Sequence, residues 1–228
     1  MKYHISPIFH LLSACLLAAF VSMTPQGQCQ LQIKDGDRIA LIGNSLASRM
    51  QYSGWLESML QSQSEGKHLV VRNLGFPGDQ VGKRPRNKGF MTPEEYLNHC
   101  EADIIFAMFG YNESFAGEAG LEAFSKLTVD MIDRYRDLKP NGESEPVMIL
   151  FSPIAHEDLG DRNMPDGVEN NARLALYTAA LRQVAVEKNV TFVDLFAASQ
   201  ALYQASDKPL TLNGIHLNDE GNRLVGQF

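Results

Sequence analysis

Ser45 in "IGNSL", Asn112 in "FGYNES" and His216 in "NGIHLN" are the residue types that acyl transfer requires. A serine hydroxyl is a weak nucleophile until a neighbouring base takes its proton. The tetrahedral intermediate then carries an oxyanion, which needs fixed donors. The backbone N–H groups of Ser45 and Gly75 and the side-chain amide of Asn112 are three candidates, and a glycine at 75 lets the backbone approach a substrate closely. Of six histidines, His4 and His10 lie in an apolar N-terminal segment, and His68 and His99 precede predicted strands. His156 and His216 remain, and His216 is the best base by elimination. His156, in the acidic stretch "AHEDLGDR", is expected to touch substrate, to support the site, or to pair with a nearby acid as a loop residue. A metal there would need ligands converging in space, which spacing alone does not show. Asn213 stands three residues before His216, where a carboxylate would be easier to explain.

Positioning these residues falls to a strand–helix alternation. Apolar runs at 38–43, 68–75, 102–110, 146–154 and 190–196 read as strands. Helical patterns run from Leu46 to about Gln61, broken at Gly54, from about Gly117 to Lys139, and over "ENNARLALYTAALRQVAVEKN". The strands are continuously apolar, as in parallel sheets covered by helices on both faces. The expected fold is therefore a doubly wound α/β sandwich on a five-stranded parallel sheet, in one domain from residue 30 to 228. Ligands of such sheets bind beyond the carboxyl ends of the strands. Ser45, Gly75, Asn112, His156 and, past a short helix, Asn213 and His216 all follow strands. His68 and His99 are expected at the other edge.

A net charge of −7 argues against a nucleic-acid partner. The one basic cluster, "GKRPRNKG" at 82–89, reads as a solvated loop or as a rim that meets anionic or sugar-like substrates. "GNSLAS" lacks the lysine of a phosphate-binding loop. Lys2, an apolar run, and small residues at Gly27 and Cys29 read as a signal peptide over 1–29, so the protein is expected to be exported. "LSA" before Cys15 also resembles a lipoprotein box, but the apolar run continues past it. That run is short for a membrane span. Removal of the signal leaves Cys100, expected as a small buried hydrophobe without a disulfide partner. The last stretch, "GNRLVGQF", reads as a helix cut short, as in a piece of a longer protein.

Four blocks together resemble the SGNH/GDSL hydrolases. "IGNSL" is similar to the first block, Gly75 in "NLGFPGD" to the second-block glycine, Asn112 to the third-block asparagine, and "NGIHLN" to the last block. The resemblance spans nearly all of the chain after the signal, in the right order. It implies a flavodoxin-like sandwich and metal-free, cofactor-free hydrolysis of esters, often acetyl groups on carbohydrates or lipid esters. The partner is then a small or polysaccharide ester, and the polar segments around the site favour carbohydrate over lipid. Two departures stand out: Asn44 and Asn213 replace aspartates. Asn44 can still hydrogen-bond locally. Asn213 can orient His216 through its carbonyl oxygen, but it carries no charge to stabilise an imidazolium, and an Asp-to-Asn change can cost about 10⁴ in turnover in a serine protease. Glu113, Asp79 and Glu157 are the acids that could stand in. The expectation is a Ser45–His216 dyad oriented by Asn213. The other reading is a carbohydrate-binding or scaffold module with a degenerate site.

Overall fold

A computed structural model describes residues 31–85 and 88–228. The expected signal segment, with Cys15 and Cys29, lies outside the described residues.

Five strands form one parallel sheet: β1 (Arg38–Gly43), β2 (Val70–Asn73), β3 (Ile104–Met108), β4 (Val147–Phe151) and β5 (Thr191–Val193). Their order is β2-β1-β3-β4-β5 with every pair parallel, the flavodoxin-like doubly wound order. Successive side chains point to opposite faces, and both faces are apolar. Ile39, Leu41, Phe106, Ile149 and Phe151 pack toward α1 (Ser45–Ser53), α2 (Trp55–Gln63), α6 (Leu195–Ala205) and α7 (Asp219–Val225), through Ala47, Met50, Leu56, Leu195 and Val225. Ala40, Ile42, Ile105, Met148 and Leu150 pack toward α3 (Pro93–His99), α4 (Leu121–Leu138) and α5 (Val168–Glu187), through Leu97, Met131, Ile132, Tyr177 and Leu181. The result is the expected three-layer sandwich.

Gly54, at φ 68°, separates α1 from α2 as its position predicted. The helix expected from about Gly117 begins later. Gly117 sits at φ 61°, ψ −153°, and residues 113–120 form a 3-10 segment. Gly120 allows that segment to close on Tyr177, whose hydroxyl would lie 2.3 Å from an added Cβ. Helix α3 has no counterpart in the sequence reading, although "TPEE" carries its signal. Thr92 Oγ1 accepts from Glu95 N at 3.2 Å, Glu95 Oε2 accepts from Thr92 N at 2.7 Å, and Pro93 opens the helix.

Helix α7 spans Asp219–Val225, and the Gly226 N–H bonds back to Asn222 and Leu224. Two further expectations are modified. Cys100 is a free thiol, but half-buried at the end of α3. The 82–89 stretch is not solvated throughout at its described residues. Arg84 turns inward, its Nε donating to the buried Asp79 carboxylate at 3.0 Å. His68 lies at the far edge, against Asp35 ahead of β1.

Candidate active site

Gly43 ends β1 against β3 so closely that a Cβ would sit 2.2 Å from the Met108 carbonyl oxygen, at φ 141°. Asn44 follows, its N–H bonded to Met108 O at 3.2 Å. Its side-chain oxygen accepts from Leu46 N at 3.1 Å, which caps α1. This cap leaves Ser45 as the first residue of α1. Its own N–H lies among the unpaired donors of the helix start, where the helix dipole is positive.

His216 rides on the loop between α6 and α7. Asn213 Oδ1 accepts from both the His216 backbone N–H and ring Nδ1, each at 3.1 Å. This bond selects the Nδ1–H tautomer and leaves the Nε2 lone pair to accept a proton. Burial first, and the Arg49 guanidinium second, hold the half-buried imidazole below the usual histidine pKa. Ser45 and His216 line one pocket of about 180 Å³ with Asn112, Tyr111 and Ile154. Among the described residues no hydrogen bond joins Ser45 Oγ to His216. Catalytic bonds of this kind commonly tighten only once substrate is bound.

Asn112 follows β3, and its Nδ2 donates one hydrogen to Asp79 O at 3.1 Å, which anchors the amide beside the pocket. Gly75 is placed differently. Its N–H donates to Asn73 Oδ1 at 3.0 Å. Its lack of a side chain serves packing, since a Cβ would lie 2.6 Å from Ser48 N on α1. The loop glycine next to the Asn112 anchor is Gly78, at φ 86°, whose N–H has no acceptor among the described residues. The sequence reading passed over it, although "PGD" was visible.

None of the three acids takes the place of a charge on His216. Glu157 is buried and clamps the histidine loop. Its carboxylate accepts from Leu210 N (2.9 Å), Thr211 N (2.7 Å) and Thr211 Oγ1 (2.6 Å), and Thr211 Oγ1 accepts from Gly214 N at 2.9 Å. The Glu157 N–H donates to Gly214 O at 2.8 Å. Glu113 braces the turn after β3 by accepting from Val81 N and Gly110 N, and burial raises its pKa. Asp79 is bonded to Arg84.

His156 is buried and does not line the pocket. Its ring packs so tightly under Gly214 and Gly167 that a Cβ on either would come within 3 Å. The Asn170 amide meets its Nδ1 at 3.1 Å, and Asn171 bonds both its backbone N–H and its carbonyl. Burial lowers its pKa. Among the described residues no group of histidines, cysteines and carboxylates could hold a metal ion. No helix among them is long and apolar enough to cross a membrane.

A serine at a helix start beyond β1, a pocket histidine near the C-terminus and a third-strand asparagine, on a 2-1-3-4-5 sheet, define an SGNH-type α/β hydrolase. The sequence model of the GDSL-like lipase/acylhydrolase family matches residues 41–224. The chain belongs to this family, whose class of activity is hydrolysis of carboxylic esters. No protein of curated function matches it in sequence.

Solved structures share the fold at low identity. A catalytic mutant of Axe2, an acetylxylan esterase from Geobacillus stearothermophilus, is 16% identical with a TM-score of 0.66, over 86% of this chain and 94% of that one. A lipase/acylhydrolase from Enterococcus faecalis is 21% identical with a TM-score of 0.61, over 84% of this chain and 92% of that one. A gut microbial diltiazem-metabolizing enzyme is 17% identical with a TM-score of 0.67. The match covers 86% of this chain but only 46% of that enzyme.

Proposed function

We propose that the protein is an exported serine esterase that removes O-acetyl groups from carbohydrate. The observation that carries the reading is the shared pocket of Ser45 and His216, with the imidazole fixed through Nδ1 by Asn213. Ser45 Oγ attacks the acyl carbon while His216 Nε2 takes its proton. The Ser45 N–H, the remaining Asn112 Nδ2 hydrogen and the Gly78 N–H receive the oxyanion. The imidazolium then protonates the departing sugar oxygen, leaving an acetyl group on Ser45. Water, deprotonated by His216, releases acetate and restores the serine.

The substrate class is supported by three things. The pocket is small, which suits a short acyl group. The segment beyond β4, which lines the pocket at Pro153 and Ile154, goes on to expose the polar Asp158, Asp161 and Asn163. Solved structures of the same fold include an acetylxylan esterase. Export is supported by the charged start and apolar run of residues 1–29, and N-terminal sequencing of the secreted protein tests it.

The activity is tested by hydrolysis of 4-nitrophenyl acetate and acetylated xylan with protein starting at Gln30, beside Ser45→Ala. Turnover that Ser45→Ala abolishes supports the esterase. Folded protein that binds acetylated xylan yet turns over no faster than Ser45→Ala would instead be a carbohydrate-binding module with a degenerate site.

A further inference from the structure

A second cavity, of about 360 Å³, opens between α1, the chain that leaves β2, and α3. Its walls are Ser48, Gln51 and Tyr52 of α1, residues 73–77, Tyr96 of α3 and the Arg84 side chain. None of these residues lines the Ser45 pocket.

Two elements nevertheless run from one cavity to the other. Helix α1 begins at Ser45, and Ser48 and Tyr52 follow three and seven residues later, on the same face of the helix. Ser45 and Tyr52 are about 10 Å apart along the axis. The loop after β2 does the same. Leu74 to Pro77 wall the second cavity, and Asp79 O holds the Asn112 amide beside the catalytic pocket at 3.1 Å. A ligand that reaches both places is longer than one sugar ring.

The lining has the makeup of a sugar site. Tyr52, Phe76 and Tyr96 bring aromatic rings to it, and Tyr52 is 76% exposed. Sugar rings have apolar C–H faces that lie flat on such rings, while their hydroxyls need polar groups at the edge. The hydroxyls of Ser48, Tyr52 and Tyr96 make no hydrogen bond among the described residues. Gln51 Nε2 donates to Ser48 O at 2.7 Å, which leaves the Gln51 side-chain oxygen to accept. Arg84 is the one charged residue of the lining, and the buried Asp79 carboxylate balances it at 3.0 Å. That balance favours a neutral ligand over an anion.

We infer that this cavity is a binding subsite for neutral sugar rings of the substrate chain, remote from the ring that bears the ester. This rests on the esterase reading of the Ser45 site, and it makes the substrate an oligosaccharide rather than a single sugar. Contacts far from the reacting bond would hold the ester at Ser45 and so raise kcat as well as affinity.

Binding is measured first, on Ser45→Ala protein, so that it does not depend on turnover. Xylotetraose, cellotetraose, xylose and tetragalacturonate are titrated by calorimetry, with and without Tyr52→Ala or Tyr96→Ala. At least one neutral tetrasaccharide is expected to bind more tightly than xylose and than tetragalacturonate. Each tyrosine truncation should weaken it about tenfold or more, and Tyr52→Phe should restore it, because the ring is kept. Tyr52 is largely exposed, so its truncation should leave the denaturant midpoint unchanged. No binding of either neutral tetrasaccharide, or binding that survives both truncations, overturns the inference. Tighter binding of tetragalacturonate overturns the neutral ligand.

Turnover follows in protein that keeps Ser45. Tyr52→Ala is expected to lower kcat/KM on acetylated xylotetraose about tenfold. Acetylated xylose and 4-nitrophenyl acetate, too short to reach the cavity, should be unaffected. An equal loss on all three would make Tyr52 a support of α1 rather than a sugar contact, and overturns the inference. Ser45-dependent turnover that ignores both tyrosines leaves the esterase and removes the subsite. Tyrosine-dependent binding without turnover of any ester removes the esterase and leaves the sugar site.

Discussion

At the scale of single residues the chemistry turns on how His216 is held. Asn213 fixes the ring through its carbonyl oxygen but lends it no charge. Asn213→Asp is expected to raise kcat on 4-nitrophenyl acetate by tenfold or more, because a carboxylate would stabilise the imidazolium. Steady-state rates at saturating substrate check this, and an unchanged or lower kcat would show that charge does not limit the step. The surroundings of the ring set the pH response. The base must be neutral to work. Burial and Arg49 lower the His216 pKa, so its neutral form persists further into acid than for a free histidine. The acid limb of kcat/KM is expected below the usual histidine value. Asn213→Asp favours the charged ring, so it should move that limb upward. A limb above the ordinary histidine range in the unaltered protein would contradict this placement of His216.

At the scale of elements, two short pieces deliver the site. Helix α1 starts at Ser45 because Asn44 caps it. Asn44→Ala is expected to cost about 1 kcal/mol of stability, read from the denaturant midpoint. It should also lower activity, since the Ser45 N–H depends on where the helix begins. The loop carrying His216 is held by Glu157, which accepts two backbone N–H groups and one hydroxyl from residues 210–211. Glu157→Ala leaves those buried donors unmet and is expected to cost at least about 2 kcal/mol. Glu157→Gln keeps the shape and one acceptor, so it should retain the fold while lowering kcat more than it changes KM. Equal stability of Glu157→Ala and the unaltered protein would remove the clamp from the account.

At the scale of the whole molecule, the sheet is a rigid base with apolar residues on both faces. Leu150, central in β4 and 1% exposed, packs toward α4 and α5. Leu150→Ala is expected to cost about 2–5 kcal/mol by thermal or chemical unfolding, as large-to-small core changes do. The strand tips were legible in the sequence because continuous apolar runs mark buried parallel strands. So were the order of Ser45, Asn112 and His216 and the break at Gly54. Less was visible in the connections. Helix α3 went unread despite its capping box, and the helix after β3 was started early because apolar spacing does not report the backbone of Gly117.

What the sequence determined by itself is the layered fold and the residue types at its edge, because periodicity of burial and the chemistry of side chains are properties of the chain read locally. What the tertiary structure alone decided is which polar groups meet. Gly75 looked like an oxyanion donor, yet its N–H is bonded to Asn73. Glu157 looked like a possible partner for His216, yet it clamps Leu210 and Thr211. Hydrogen bonds form over about 3 Å and depend on angle. The Gly75–Asn73 bond is local, but Glu157 and Leu210, 53 positions apart, reach that range only through the packing of the sheet and its helices.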